Sequence, residues 1–140
     1  MNIAKHILVL SLVSFVVHGA WENAHAPLFA GYVSILQHAP ACFLATLGDV
    51  MFTLFVYLGI ALLKRDYLWI SRLSAADAVV LMVLGLAFAL GIEWRALLQG
   101  RWAYTEAMPI IPYVHIGLTP VLQMVILLPL SFVTVARWRV

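Results

Sequence analysis

Charge is what this chain has least of: Asp, Glu, Lys and Arg make up 10% of its 140 residues, against about a quarter in soluble domains. Beside 65% hydrophobic residues, that shortage excludes an ordinary soluble domain and turns the reading toward the bilayer. The single cysteine, Cys42, excludes an internal disulfide and a cysteine-based metal cage, and it reads as a small core residue. Gly-rich phosphate loops, a nucleophile elbow, an H-E-x-x-H pair and basic runs are all missing. Nucleotide use, Ser-His-Asp hydrolysis and nucleic-acid partners are thereby disfavoured.

What is there is apolar and long. Four stretches, about residues 7–24, 42–63, 75–96 and 113–136, meet or approach the ~20 residues that a spanning helix needs. They predict an all-α membrane protein, a four-transmembrane-helix bundle forming a single integral domain over residues 1–140. Lys5 followed by an apolar run resembles a signal peptide, but cleavage after Ala20 places His18 where a small residue is wanted. Cleavage after Ala26 places Pro27 directly downstream, so the first segment is read as a retained helix.

Lys5, Lys64, Arg65, Arg72, Arg137 and Arg139 fall on one side of the spans, and Arg95 and Arg101 on the other. This bias predicts a multi-pass protein of the plasma (inner) membrane with both termini cytoplasmic. Between the first two spans, Pro27 and Pro40 bracket LFAGYVSILQHA, which is too short to cross and too apolar for a free loop. It is expected to be an interfacial or re-entrant segment. Ser74 and Asp77 fit a helix-start capping pattern. Trp94, Trp102, Tyr104 and Tyr113 suit an outer interface belt, and Tyr67, Trp69 and Trp138 an inner one. His6 and His38 read as surface residues.

Polar residues recur at helical spacing. Ser11, Ser14, His18, Glu22 and His25 share one face of the first helix, and Cys42, Thr46, Asp49, Thr53 and Tyr57 one face of the second. Ala78, Met82, Gly85, Ala89 and Glu93 line the third, and His115, Thr119 and Gln123 the fourth. In lipid such faces turn inward. Counted at ~1.5 Å per residue from the cytoplasmic anchors, Glu22, Asp49, Glu93 and Thr119 lie at heights of about 26, 22, 24 and 27 Å. They share one layer near the outer interface. Pro120 is expected to bend helix four beside it by freeing the carbonyl of Ile116.

Three acids in a low-dielectric layer point to acid-base chemistry, because desolvation favours the protonated form and close carboxylates resist ionising together. Glu22 and Glu93 are the expected acid-base pair, with Asp49 tuning them and His18 or His25 relaying protons. Trp21, Asn23, Trp94, Trp102, Tyr104, His115, Thr119 and Gln123 are the expected contacts to a lipophilic substrate of isoprenoid, sterol-like or lipid type, entering laterally. Isomerisation, cyclisation or hydration there needs no cofactor.

Glu22 and His25 also form a Glu-x-x-His pair, so a metal ion held by Glu22, His25, Asp49 and Glu93, with His115 in reach, is an alternative. A further alternative is a satisfied polar core, Asp49 bonding Thr46 or Gln123 and the glutamates pairing with Arg95 or Arg101. Others are an accessory subunit of a larger membrane complex or a homodimer, served by the small pairs Gly85 with Ala89 and Ala87 with Gly91, and proton-coupled transport through a dimer.

Overall fold

Asn2 opens the first helix by accepting a hydrogen bond from the Lys5 amide at 2.9 Å, the role short polar side chains play at helix starts. In the computed structural model, which describes residues 2–138, this helix, α1, runs Ile3–His25 and ends in a tight turn, Ala26–Leu28, at Pro27. The chain continues as α2 (Ile35–Lys64), a second tight turn (Trp69–Arg72), α3 (Ala75–Leu98), a short hairpin of β1 (Ile110–Ile111) and β2 (Ile116–Gly117), and α4 (Leu118–Arg137). All four helices are long and apolar enough to cross a membrane. Arg139, counted above among the cytoplasmic charges, lies outside the described residues.

Two boundaries differ from the sequence expectation. Helix α2 begins at Ile35, where the Ser34 hydroxyl accepts from the Gln37 amide at 3.3 Å. The second half of the segment between Pro27 and Pro40 is therefore continuous with α2. Pro40 sits inside the helix as a forgone backbone bond rather than as its boundary.

Helix α4 starts at Leu118, not Tyr113. Residues 110–117 form the hairpin, with Ile110 opposite Gly117 and Ile111 opposite Ile116. Tyr113 and His115 take left-handed φ values of 70° and 56°, which no α-helix contains. Pro120 accordingly falls in the first turn of α4, where the N–H groups have no intrahelical acceptor, so the lost mid-helix bond that was expected to bend the helix does not arise there.

Capping of α3 follows the expectation: the Ser74 hydroxyl accepts from the Asp77 amide at 3.2 Å while Asp77 Oδ2 accepts from the Ser74 amide at 3.0 Å. Asp77 also takes the Lys64 ammonium at 2.5 Å, tying α2 to α3 at the end that carries most of the basic residues. The core at that basic end holds Leu10, Tyr57, Trp69, Leu81, Leu128 and Phe132. Trp69, read as an interface residue, is 1% exposed. Its ring stacks on Phe132 at 5.3 Å and its indole N–H donates to the Tyr57 carbonyl at 3.3 Å.

His6 is also buried, against expectation, because the turn at Ser71 folds over it and brings Ser71 Oγ to 3.1 Å from its Nε2. On α3 the buried face runs Asp77, Leu81, Gly85, Ala89 and Glu93. Leu81 replaces Met82 in the stripe and Ala78 is only half-buried, since the four-residue spacing from Gly85 points to Leu81.

Helix α1 packs on α2 and α4, and α4 on α3, but α2 and α3 do not pack closely together. A cleft remains between them, crossed by the stacked rings of Phe52 and Phe88 at 3.7 Å. That gap positions the site.

Candidate functional site

The inward stripes of α1 and α2 meet the start of α4 at Gln123. Its Nε2 lies 2.8 Å from Glu22 Oε1, 2.9 Å from Asp49 Oδ2 and 3.3 Å from His18 Nδ1. An amide nitrogen carries two hydrogens, and the two short contacts take them both. His18 Nδ1, 3.3 Å from Asp49 Oδ2, is then a donor to that carboxylate. This tautomer leaves Nε2 as a lone pair, which fits its lack of a partner among the described residues.

A second link runs from Glu22 Oε2 to His25 Nε2 at 3.3 Å, from His25 Nδ1 to the Thr119 hydroxyl at 3.3 Å, and from that hydroxyl to Met108 Sδ at 3.3 Å. Glu22, Asp49, His18, His25, Thr119 and Gln123 thus form one connected set drawn from α1, α2 and α4. Of the bonds the polar-core alternative named, that between Asp49 and Gln123 is present.

Glu93 belongs to a different set. Its Oε2 accepts from Trp102 Nε1 at 3.2 Å and from the Tyr104 hydroxyl. Burial, reinforced by the carboxylate beside it, holds the Tyr104 phenol above its ordinary range, so the hydroxyl keeps its proton and stays a donor. The expected pairing of Glu22 with Glu93 is therefore not a direct one. Glu22 is joined through Gln123 to Asp49, and Glu93 faces them across a cavity of about 610 Å³ that all three acids line.

That cavity fills the cleft between α2 and α3, walled by Leu44, Ala45 and Gly48 on one side and Phe88, Ala89 and Ile92 on the other. Two connections cover its far end. Ala30 N donates to the Ala103 carbonyl and Thr105 N to the Leu28 carbonyl, each at 2.9 Å. Phe29 sits edge-on to His25, Trp102 and Tyr104 at 5.2, 6.4 and 5.6 Å. The polar end of the cavity is thus roofed by aromatic rings.

Several expected contacts fall elsewhere. His115 is exposed in the hairpin turn, whose left-handed backbone carries it off the α4 stripe. Trp94 is 64% exposed on the outer face of α3, one residue beyond Glu93 and so on a different face of the helix. Trp21 and Asn23, which flank Glu22, leave the inward stripe for the same reason. Asn23 turns back to the Gly19 carbonyl at 2.8 Å, and Trp21 does not line the cavity. Conversely, His38, read as a surface residue, lines the cavity, as do Phe29, Arg101, Pro120 and Met124.

Among the described residues, no group of three His, Cys, Asp or Glu side chains is arranged to hold a metal ion. The Gln123 amide occupies the position between Glu22 and Asp49 that a bridging cation would take, and the Glu-x-x-His idea reduces to His25 facing Glu22 alone. Neither Arg95 nor Arg101 forms an ion pair with an acid among the described residues. Comparison with protein-family models, with curated proteins and with solved structures returns no match.

Proposed function

We propose that this protein binds a lipophilic small molecule in the cleft between α2 and α3 and carries out acid-base chemistry on it, of the isomerase, cyclase or hydratase type. The observation that carries this reading is the cavity of about 610 Å³ lined by Glu22, Asp49 and Glu93 from three helices, a volume in the range of small-molecule sites. Glu22 and Asp49, bridged by Gln123, act as one proton-holding unit, and Glu93, fixed by Tyr104 and Trp102, as the other. A proton delivered to a carbon of the substrate by one unit and removed from another carbon by the other leaves the protein's proton count unchanged, and exchange with water then returns a proton to the unit that gave one. No cofactor is required for that exchange.

The basic end carries Lys5, Lys64, Arg65, Arg72 and Arg137, which supports a cytoplasmic location for both termini and an outer-leaflet position for the cavity. Solvent hydrogen offers a test that works whichever lipophile is the substrate. Membranes containing the protein, incubated in deuterated water, are expected to incorporate deuterium into an extractable apolar molecule. Glu22→Gln and Asp49→Asn should abolish that incorporation while the proteins stay folded. Absence of protein-dependent deuterium incorporation overturns the catalytic reading.

A second reading, assembly with another membrane protein or a second copy, is favoured by one observation: Ala87 and Gly91 lie exposed, with open space at Gly91, on the face of α3 opposite Gly85 and Ala89. Site-directed cross-linking from Ala87→Cys in native membranes tests it, and a monomer under all conditions overturns it.

A further inference from the structure

Hydrogen-bond capacity decides what kind of polar end the cavity accepts. The donors around its acids are already committed: both N–H groups of Gln123 go to Glu22 and Asp49, and the Trp102 N–H and Tyr104 O–H both go to Glu93 Oε2. What remains open among its buried groups is acceptor, while the uncommitted donors on the lining, the Arg101 guanidinium and the His38 ring, belong to an exposed and a half-buried residue. Asp49 Oδ1 and Glu93 Oε1 have no partner among the described residues, although both side chains belong to buried residues that line the cavity and Glu93 is only 5% exposed.

Neither oxygen is sealed off from the cavity, so each stands open to an occupant there, and a group that donates to it gains a hydrogen bond in a lining largely shielded from bulk water. An anionic occupant adds charge to a lining that already holds three carboxylates. The cationic side chain on the lining, Arg101, is exposed, and its guanidinium lies over the Trp102 ring at 5.6 Å. The walls contributed by Leu44, Ala45, Phe88, Ala89, Ile92 and Met124 are apolar.

We propose that the cavity selects a hydrocarbon molecule ending in an ammonium or hydroxyl group, which enters between α2 and α3 and presents its donor to Asp49 Oδ1 and Glu93 Oε1, and that it rejects the matching anion. This rests on the reading that the cavity holds a lipophilic molecule, and it names the class. Gly48 supplies the control, because a Cβ built there meets nothing within 4 Å. Gly48→Leu thus starts its side chain in open space at the opening, and it replaces a glycine with a better helix former.

The test uses the full chain in neutral lipid nanodiscs, labelled by a photoreactive long-chain amine and competed by the alcohol, amine and carboxylate of one alkyl chain. The amine and alcohol are expected to compete saturably, with the carboxylate at least about tenfold weaker. Glu93→Gln, which keeps an acceptor for Trp102 and Tyr104, should narrow that preference. Gly48→Leu should lose labelling while its melting temperature holds. A carboxylate that competes as well as the amine overturns the head-group inference and leaves the cavity a lipophile site. Labelling that is not saturable, or that survives in Gly48→Leu, overturns the cavity reading itself.

Discussion

Gln123 is the residue on which the acidic cluster turns, since one amide nitrogen serves Glu22 at 2.8 Å and Asp49 at 2.9 Å. Gln123→Leu keeps the volume and removes both donors, leaving two acids without their bridge inside the bundle. Hydrogen bonds to charged groups contribute about 1.5–3 kcal/mol each, and an unsatisfied buried partner costs about as much again. A loss of about 2–4 kcal/mol is therefore expected, read as a lower midpoint in thermal unfolding in detergent, and an unchanged midpoint would contradict the bridge. Tyr104 makes a prediction of different sign. Its phenol is raised above the ordinary value of 10.0 by burial and by Glu93, so its stabilising bond is fully present below that value and is lost as pH climbs through the higher folded one. Thermal midpoints followed from neutral to strongly alkaline pH should fall more steeply in the wild type than in Tyr104→Phe, which starts lower because Glu93 has lost a donor.

At the scale of elements, the glycines of α3 separate its two faces. A Cβ on Gly85 would sit 2.5 Å from the Met124 carbonyl oxygen, a backbone atom that moves only if α4 moves. Gly85→Ala is expected to destabilise by about 1–3 kcal/mol through overpacking, whereas Gly91→Ala, with open space around it, should stabilise by up to about 1 kcal/mol through helix propensity. Equal thermal midpoints for the two variants would refute the asymmetry. The inward stripes of α1 and α2 were legible because each polar residue follows the last by three or four positions, and Ser14, His18, Thr46, Asp49 and Thr53 are all buried as that spacing requires. The start of α4 was not legible, because His115 continues the four-residue spacing of Thr119 and Gln123 although its backbone is left-handed. Pro109 and Pro112 were the available signal of a turn. The start of α2 left a clearer mark, since Ser34 and Gln37 have the spacing of a capping box. Trp69 and His6 went to the surface on composition alone, because an amphipathic ring suits a membrane interface or a satisfied core equally well.

For the whole molecule, the arrangement of helices decides more than any one residue. With α4 in contact with α1 and α3, and α2 held to α3 mainly by Lys64 and Asp77 at the basic end and by the Phe52–Phe88 stack, the bundle is left open along one side. Helical periodicity places acids at a common height but does not say which neighbouring pair stands apart, since that depends on how residues far apart in sequence fill space. A pocket at the level of the acids was legible for this reason, while its place in the gap between α2 and α3 was not. The Phe52–Phe88 stack forms the floor of the opening, because Phe88 lines the cavity and Phe52 packs against both hydrophobic clusters. Phe88→Ala removes that floor while leaving Phe52 anchored. It should cost about 2–4 kcal/mol, toward the lower part of the range for a buried aromatic because the ring is only half-buried, and it should extend the cavity toward the basic end. The cavity reading then requires a shift in chain-length preference: competition by a homologous series of alkyl amines should favour longer chains in Phe88→Ala than in the wild type. Phe52→Ala, which empties space behind the floor, should lose stability without that shift. If both variants keep the wild-type order of chain lengths, the occupant does not lie along the cleft, and the opening between α2 and α3 is not its path.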